Sequence, residues 1–97
     1  MSSRVTDKQL QAVVDRINTM TSSPLEPWTK DASGKLMANI GCYHLDYAYG
    51  GVALHRMQSE GGGVIDVLQA GYSTKRECLH LLFAFIRGLE QAGGGAP

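Results

Sequence analysis

The run Tyr43-His44-Leu45-Asp46-Tyr47-Ala48-Tyr49-Gly50-Gly51-Val52-Ala53-Leu54-His55-Arg56-Met57 decides the fold. Tyr43, Leu45 and Tyr47 alternate with Cys42, His44 and Asp46, a period of two that belongs to a strand half-buried on one face. Gly50 and Gly51 interrupt the alternation and tolerate the positive φ values of a type I′ turn, so Val52 to Met57 returns antiparallel. With those two glycines as the loop pair, Tyr47 faces Leu54 and Leu45 faces Arg56, while Asp46 lies beside His55 and His44 beside Met57 on the other side. Glu60-Gly61-Gly62-Gly63 makes a second, looser turn, and Val64 to Gln69 supplies a third strand. Strands joined by Gly-rich turns form a meander.

Helices flank this meander. Thr6-Asp7-Lys8-Gln9 fits a capping box, and Leu10, Val13, Val14, Ile17 and Met20 follow at helical spacing. The helix is predicted to end near Thr21, because Pro24 and Pro27 push the residues before them out of helical geometry. Residues 22–35 read as an irregular connector whose one large apolar group, Trp28, either anchors it over a core edge or offers an exposed aromatic contact. At the other end, Thr74-Lys75-Arg76-Glu77 again fits a capping box. Cys78, Leu81, Leu82, Phe85 and Leu89 line one face of the helix it opens, which is expected to fray from Gly88 to Gly93. The prediction is an α+β domain of two layers, ordered α-β-β-β-α, with a three-stranded antiparallel meander and both helices on one face. The domain spans residues 1–92, followed by a disordered Gly-rich tail over 93–97. The sheet's other face is left to water or a partner.

Composition narrows the class. A chain of 97 residues is one domain, and at this length its core is thin. Two cysteines, with no Cys-x-x-Cys pair, do not make a disulfide scaffold, and the polar opening Met1-Ser2-Ser3-Arg4 lacks the apolar stretch of a signal peptide. No apolar run is long enough to span a bilayer. The expectation is a cytoplasmic protein with free thiols and no membrane partner. Nine basic residues balance nine acidic ones, which argues against a general nucleic-acid binder and leaves room for a local patch.

Three groups of residues could carry chemistry. Cys42, His44, Asp46 and His55 share one sheet face in the predicted register. They are zinc-ligand types, and Cys42 with either histidine could also form a nucleophilic pair. The same four residues equally suit a solvated sheet face, and neither a His/Cys loop motif nor a sheltered pocket supports the sharper readings. Gly61-Gly62-Gly63 could cradle a phosphate only if a helix began there, and it joins two strands instead. The N-terminus of the last helix, Ser73-Thr74-Lys75-Arg76, offers free N–H groups beside two cations and suits an anion or a backbone phosphate. No cofactor is implied.

Two resemblances add context. Tyr43 to Gly51, Leu54-His55-Arg56, Glu60 to Gly63, Asp66-Val67, Lys75-Arg76-Glu77 and the ending Phe83-Ala84-Phe85-Ile86-Arg87-Gly88 together resemble a family of small proteins encoded by tailed phages and prophages. The likeness spans about residues 28–90 and implies a phage context with no specific chemistry; host takeover or counter-defence is typical of such proteins. In topology the chain is also similar to the double-stranded-RNA-binding domain, and Gly71 to Glu77 is similar to the opening of that domain's last helix, where lysines grip phosphates. It departs in having an acid directly after Lys75-Arg76, no further Lys or Arg until Arg87, and no Gly-Pro-x-x-His signal in the first hairpin.

The residues and both resemblances lead to a non-enzymatic accessory protein that binds another macromolecule, either a host or phage protein or a second copy of itself. The alternatives are a nucleic-acid binder led by Ser73, Thr74, Lys75 and Arg76, and a small metal-binding protein using Cys42, His44, Asp46 and His55.

Overall fold

The structure is a computed structural model that describes residues 4–94. The elements run α1 (Asp7–Met20), β1 (Trp28–Lys30), β2 (Leu36–Ala38), β3 (Tyr43–Ala48), β4 (Gly51–Met57), β5 (Val64–Asp66) and α2 (Lys75–Leu89), followed by a π-helical turn over Glu90–Gly94. Among the described residues no helix is long and apolar enough to cross a membrane.

Both helices start at the threonine caps that their sequences predict, with a reciprocal capping box at α1 and the simple Thr74 cap at α2. The Thr6 hydroxyl accepts the Gln9 N–H and the Gln9 side chain returns to the Thr6 N–H, closing the capping box of α1. Thr74 caps α2 by accepting from the Glu77 N–H, and its own hydroxyl donates to the Glu77 carboxylate. α2 runs through Gly88 to Leu89 rather than fraying there, and Gly93 and Gly94 belong to the π turn; the remainder of the predicted tail, Gly95 to Pro97, lies outside the described residues. Ion pairs join the helices at both ends, Lys75 to Asp7 at 3.1 Å and Arg16 to Glu90 at 3.3 Å. α1 and α2 therefore run parallel.

The predicted α-β-β-β-α order holds, with β3-β4-β5 an antiparallel meander. Leu10, Val14 and Ile17 of α1, Cys78, Leu82 and Ile86 of α2, and Tyr43, Val52 and Leu54 of the sheet close one core, so both helices cover the same face. Three details differ from expectation, the smallest being that the third strand, predicted over Val64 to Gln69, ends at Asp66. The stretch read as an irregular connector contains β1, which pairs antiparallel with β2 in a separate two-stranded sheet. Its turn is organised by Asp31, whose carboxylate accepts the backbone N–H groups of Ser33 and Lys35. The β3–β4 turn also falls one residue earlier than predicted. Tyr49 (φ 53°) and Gly50 (φ 74°) are the two loop residues, and Gly51 is the first residue of β4. Tyr47 consequently faces Val52, Leu45 faces Leu54, His44 faces His55 and Asp46 faces Ala53. The pairing slides by two positions, so the side chains of β3 and β4 keep their predicted faces while changing partners.

Asn18 fixes the start of β3. It is completely buried on α1, where its Oδ1 accepts the Tyr43 N–H at 2.8 Å and its Nδ2 donates to the Tyr43 C=O at 2.9 Å. Its amide thereby stands in for a neighbouring strand at one residue. Just before it, the Cys42 N–H closes a turn onto Asn39, with Gly41 at φ 93°. Gly41 and Cys42 both bond Met57, a two-against-one bulge that turns Cys42 into a small second core with Ala38 and Met57.

Candidate functional site

The outer face of the sheet is not bare. After β5 the chain turns over the Asp66 carboxylate, which accepts the Gln69 and Gly71 N–H groups, and then pairs Ser73 with Val52. This carries Tyr72 across β4 to Asp46 on β3, where its hydroxyl donates to the carboxylate. Ala53, between them, is 2% exposed. The Asp46 bond also pushes the Tyr72 phenol up and keeps it protonated. Tyr49, Tyr72, His55 and His44 follow one another as a row of edge-on ring contacts, with centroids 5.4, 6.1 and 5.9 Å apart.

This arrangement bears directly on the four residues of the metal reading. His44 and His55 do meet, but Asp46 is bonded to Tyr72, and Cys42 is sealed at 0% exposure beside Ala38 and Met57. Among the described residues no group of three or more His, Cys, Asp or Glu is placed to hold a metal ion. The expected convergence fails for two physical reasons. The earlier turn sets Asp46 against Ala53 instead of His55, and the Gly41–Cys42 bulge takes the thiol into a core. A Cys/His nucleophile is disfavoured by the same burial, which pushes the Cys42 thiol up, aided by the Glu26 charge, and keeps it protonated. The His44 Nε2 is buried without a hydrogen-bond partner, and burial followed by the nearby His55 holds this imidazole below its ordinary range.

Ser73, Thr74 and Lys75 have duties in the fold, and Arg76 follows them in the first turn of α2 with a partner of its own. Ser73 exchanges backbone bonds with Val52, Thr74 caps α2, and Lys75 pairs with Asp7. Asp7 also bonds the Tyr47 hydroxyl. The Lys75 bond and then the Tyr47 bond hold its carboxyl below the usual range. Gly61, Gly62 and Gly63 form the β4–β5 turn. Gly62 (φ 98°) lies directly under Trp28, where an added Cβ would come 2.7 Å from the indole. Trp28 thus anchors the β1–β2 hairpin, over this turn rather than over the main core.

The feature missed in the sequence is at that end of the sheet. Leu25, Trp28, Leu36 and Ile40 are between 42% and 56% exposed. Register puts Trp28 and Leu36 on one face of the hairpin. A groove of about 370 Å³ separates the hairpin from the β4–β5 turn, lined by Trp28, Lys35, Leu36, Met37, Glu60 and Gly61. The sequence signal was an apolar residue every few positions in a stretch otherwise read as polar coil. No protein-family model, curated protein or solved structure matches this chain.

Proposed function

We propose that this chain is a non-enzymatic interaction module, an accessory protein of phage or prophage context, that docks a host or phage protein through the Trp28–Leu36 end of its sheet. The observation that carries the reading is the exposure of Leu25, Trp28, Leu36 and Ile40 within sixteen residues, in a domain small enough to need its apolar groups for its own core. Trp28 is fixed from behind by Gly62 and stands at the edge of a groove, the setting in which an indole contributes most to a protein contact. Lys35 and Glu60 at the rim can pair with either sign of charge and so select orientation more than affinity. The phage context rests on the sequence resemblance.

The test is affinity capture from a phage-bearing bacterial lysate, run side by side with wild type and a Trp28→Ala/Leu36→Asp variant shown by circular dichroism to be folded. A protein retained by wild type and lost from the variant supports the docking surface. The same protein retained by both, or none retained by either, sinks it.

A further inference from the structure

We propose that two copies of this chain pair through the free edge of β1, Trp28–Lys30, as antiparallel strands related by a two-fold axis at Thr29. Their β1–β2 hairpins then form one four-stranded sheet. The docking groove stays open in such a pair, because it is walled by β2 and the β4–β5 turn on the other side of the hairpin.

Backbone geometry decides which groups are available. Within the hairpin the Asp31 N–H donates to the Lys35 C=O at 2.9 Å, and the Asn39 N–H to the Pro27 C=O at 2.8 Å. Antiparallel pairing alternates, so Pro27, Thr29 and Asp31 turn their backbone groups to β2, and the N–H and C=O of Trp28 and Lys30 point away from it. Among the described residues no further strand lies on that side, and all three residues of β1 are exposed. The outer edge of β2 differs, because its Ala38 N–H already reaches the Glu60 C=O at 3.4 Å. Pro27 lacks its donor on the β2 side, so the free edge of β1 keeps a donor at each outward position.

Symmetry and side chains together select a second copy as the occupant. The outward residues Trp28 and Lys30 flank Thr29 evenly. A second β1 running antiparallel therefore sets Trp28 against Lys30 and Lys30 against Trp28, and four hydrogen bonds use every outward N–H and C=O. A lysine on an edge ordinarily deters another strand. Here the register places Lys30 opposite the indole of the other copy on the same sheet face, where its stem packs and its ammonium meets the ring. Glu26 of that copy, exposed two residues before its tryptophan, adds an opposite charge on the diagonal. The strand is thus complementary to itself in this direction. Copies of zero formal net charge also approach without long-range repulsion. A strand of three residues makes a small contact, so the dimer is weak and depends on concentration.

The experiment is sedimentation velocity of the full chain over a concentration series, in which the mass should rise from 10.5 kDa toward twice that value. Lys30→Pro removes an outward donor from each copy and leaves the bonds to β2 intact. It should weaken the dimer by about tenfold or more while circular dichroism stays native. Thr29→Cys puts two thiols across the axis at a non-hydrogen-bonded pair, with Cα atoms about 4.5 Å apart. That variant should form an intermolecular disulfide in air, and Ser33→Cys at the hairpin tip should not; the native Cys42 and Cys78 are buried and do not compete. Three results overturn the proposal. One is a wild type still monomeric at about 1 mM, which would leave the edge to an extended segment of another protein. The others are a dimer that Lys30→Pro leaves unchanged, and equal cross-linking of Thr29→Cys and Ser33→Cys. Failure of the docking surface reads out separately, in the lysate capture.

Discussion

Replacing Asn18 tests the account of how α1 sets the sheet. Its amide satisfies both backbone groups of Tyr43 at 2.8 and 2.9 Å in a fully buried position. Asn18→Leu keeps the approximate volume, leaves the Tyr43 N–H unpaired and leaves the Tyr43 C=O only the weak Cys42 thiol donor at 3.4 Å. An unpaired buried group costs about 1–3 kcal/mol and the weakened carbonyl somewhat less, so the expected loss is about 3 kcal/mol. For a chain of 97 residues the whole folding free energy is about 5–15 kcal/mol, so the loss is a large fraction of it. Asn18→Asp separates the two bonds. When ionised, the introduced carboxylate still accepts from the Tyr43 N–H but is set against the Tyr43 carbonyl, whereas the protonated acid can donate to it. Its folded pKa should rise above the unfolded value of about 3.9, so this variant should gain stability relative to wild type as pH falls. Urea denaturation followed by circular dichroism measures both effects, with an unchanged m-value showing that the unfolded state is unaltered. A Leu variant within about 1 kcal/mol of wild type would refute the reasoning, since water or a shifted strand would then be serving Tyr43 equally well.

Two further outcomes follow from close contacts and from burial. Gly62→Ala sets a Cβ 2.7 Å from the Trp28 indole at φ 98°; it should destabilise the protein by about 2 kcal/mol and red-shift the emission of its single tryptophan, and an unchanged spectrum would contradict the packing. The His44 imidazole is held below its ordinary value first by burial and then by His55, so the unfolded chain takes up a proton more readily than the folded one. Its contribution to stability is therefore complete above about pH 6.5 and declines as pH falls below that, and His44→Gln should flatten this part of a stability–pH curve measured by denaturant titration. A slope identical to wild type would assign the acid sensitivity elsewhere.

The fold was legible because its signals were redundant. Two threonine caps, two apolar helical stripes and one period-two run agree on α-β-β-β-α. What the sequence concealed was local. Gly50-Gly51 looks like the natural loop pair, yet Tyr49 takes the left-handed position, because Gly51 is needed elsewhere. A Cβ there would come 2.9 Å from the Ser73 carbonyl oxygen, so Gly51 is a strand residue that lets the 71–73 segment pass close by. No one-dimensional pattern shows that approach. β1 and β2 were hidden by being three residues each, behind Pro27 and around an Asp31-centred turn that reads as coil. Asn18 was visible in outline, four residues after Val14 on the apolar stripe, and only the position of Tyr43 reveals why a polar group belongs there. The candidate sites were less legible than the fold. Their residues are named correctly on one face or one helix end, but whether they converge depends on a turn shifted by one residue and on a bulge at Gly41.

The parallel arrangement of α1 and α2 has a consequence for how the chain comes into being. α1 is made first and α2 last, with the whole meander between them, and Leu10, Val14 and Ile17 share their core with Cys78, Leu82 and Ile86. While the chain leaves the ribosome the hairpins can pair locally, but the inner face of the sheet has only one of its two covers until the final helix emerges. Folding should therefore complete in a single late step, and a chain stalled before residue 75 would hold a half-covered apolar sheet face, the form of this protein most prone to sticking to its own kind.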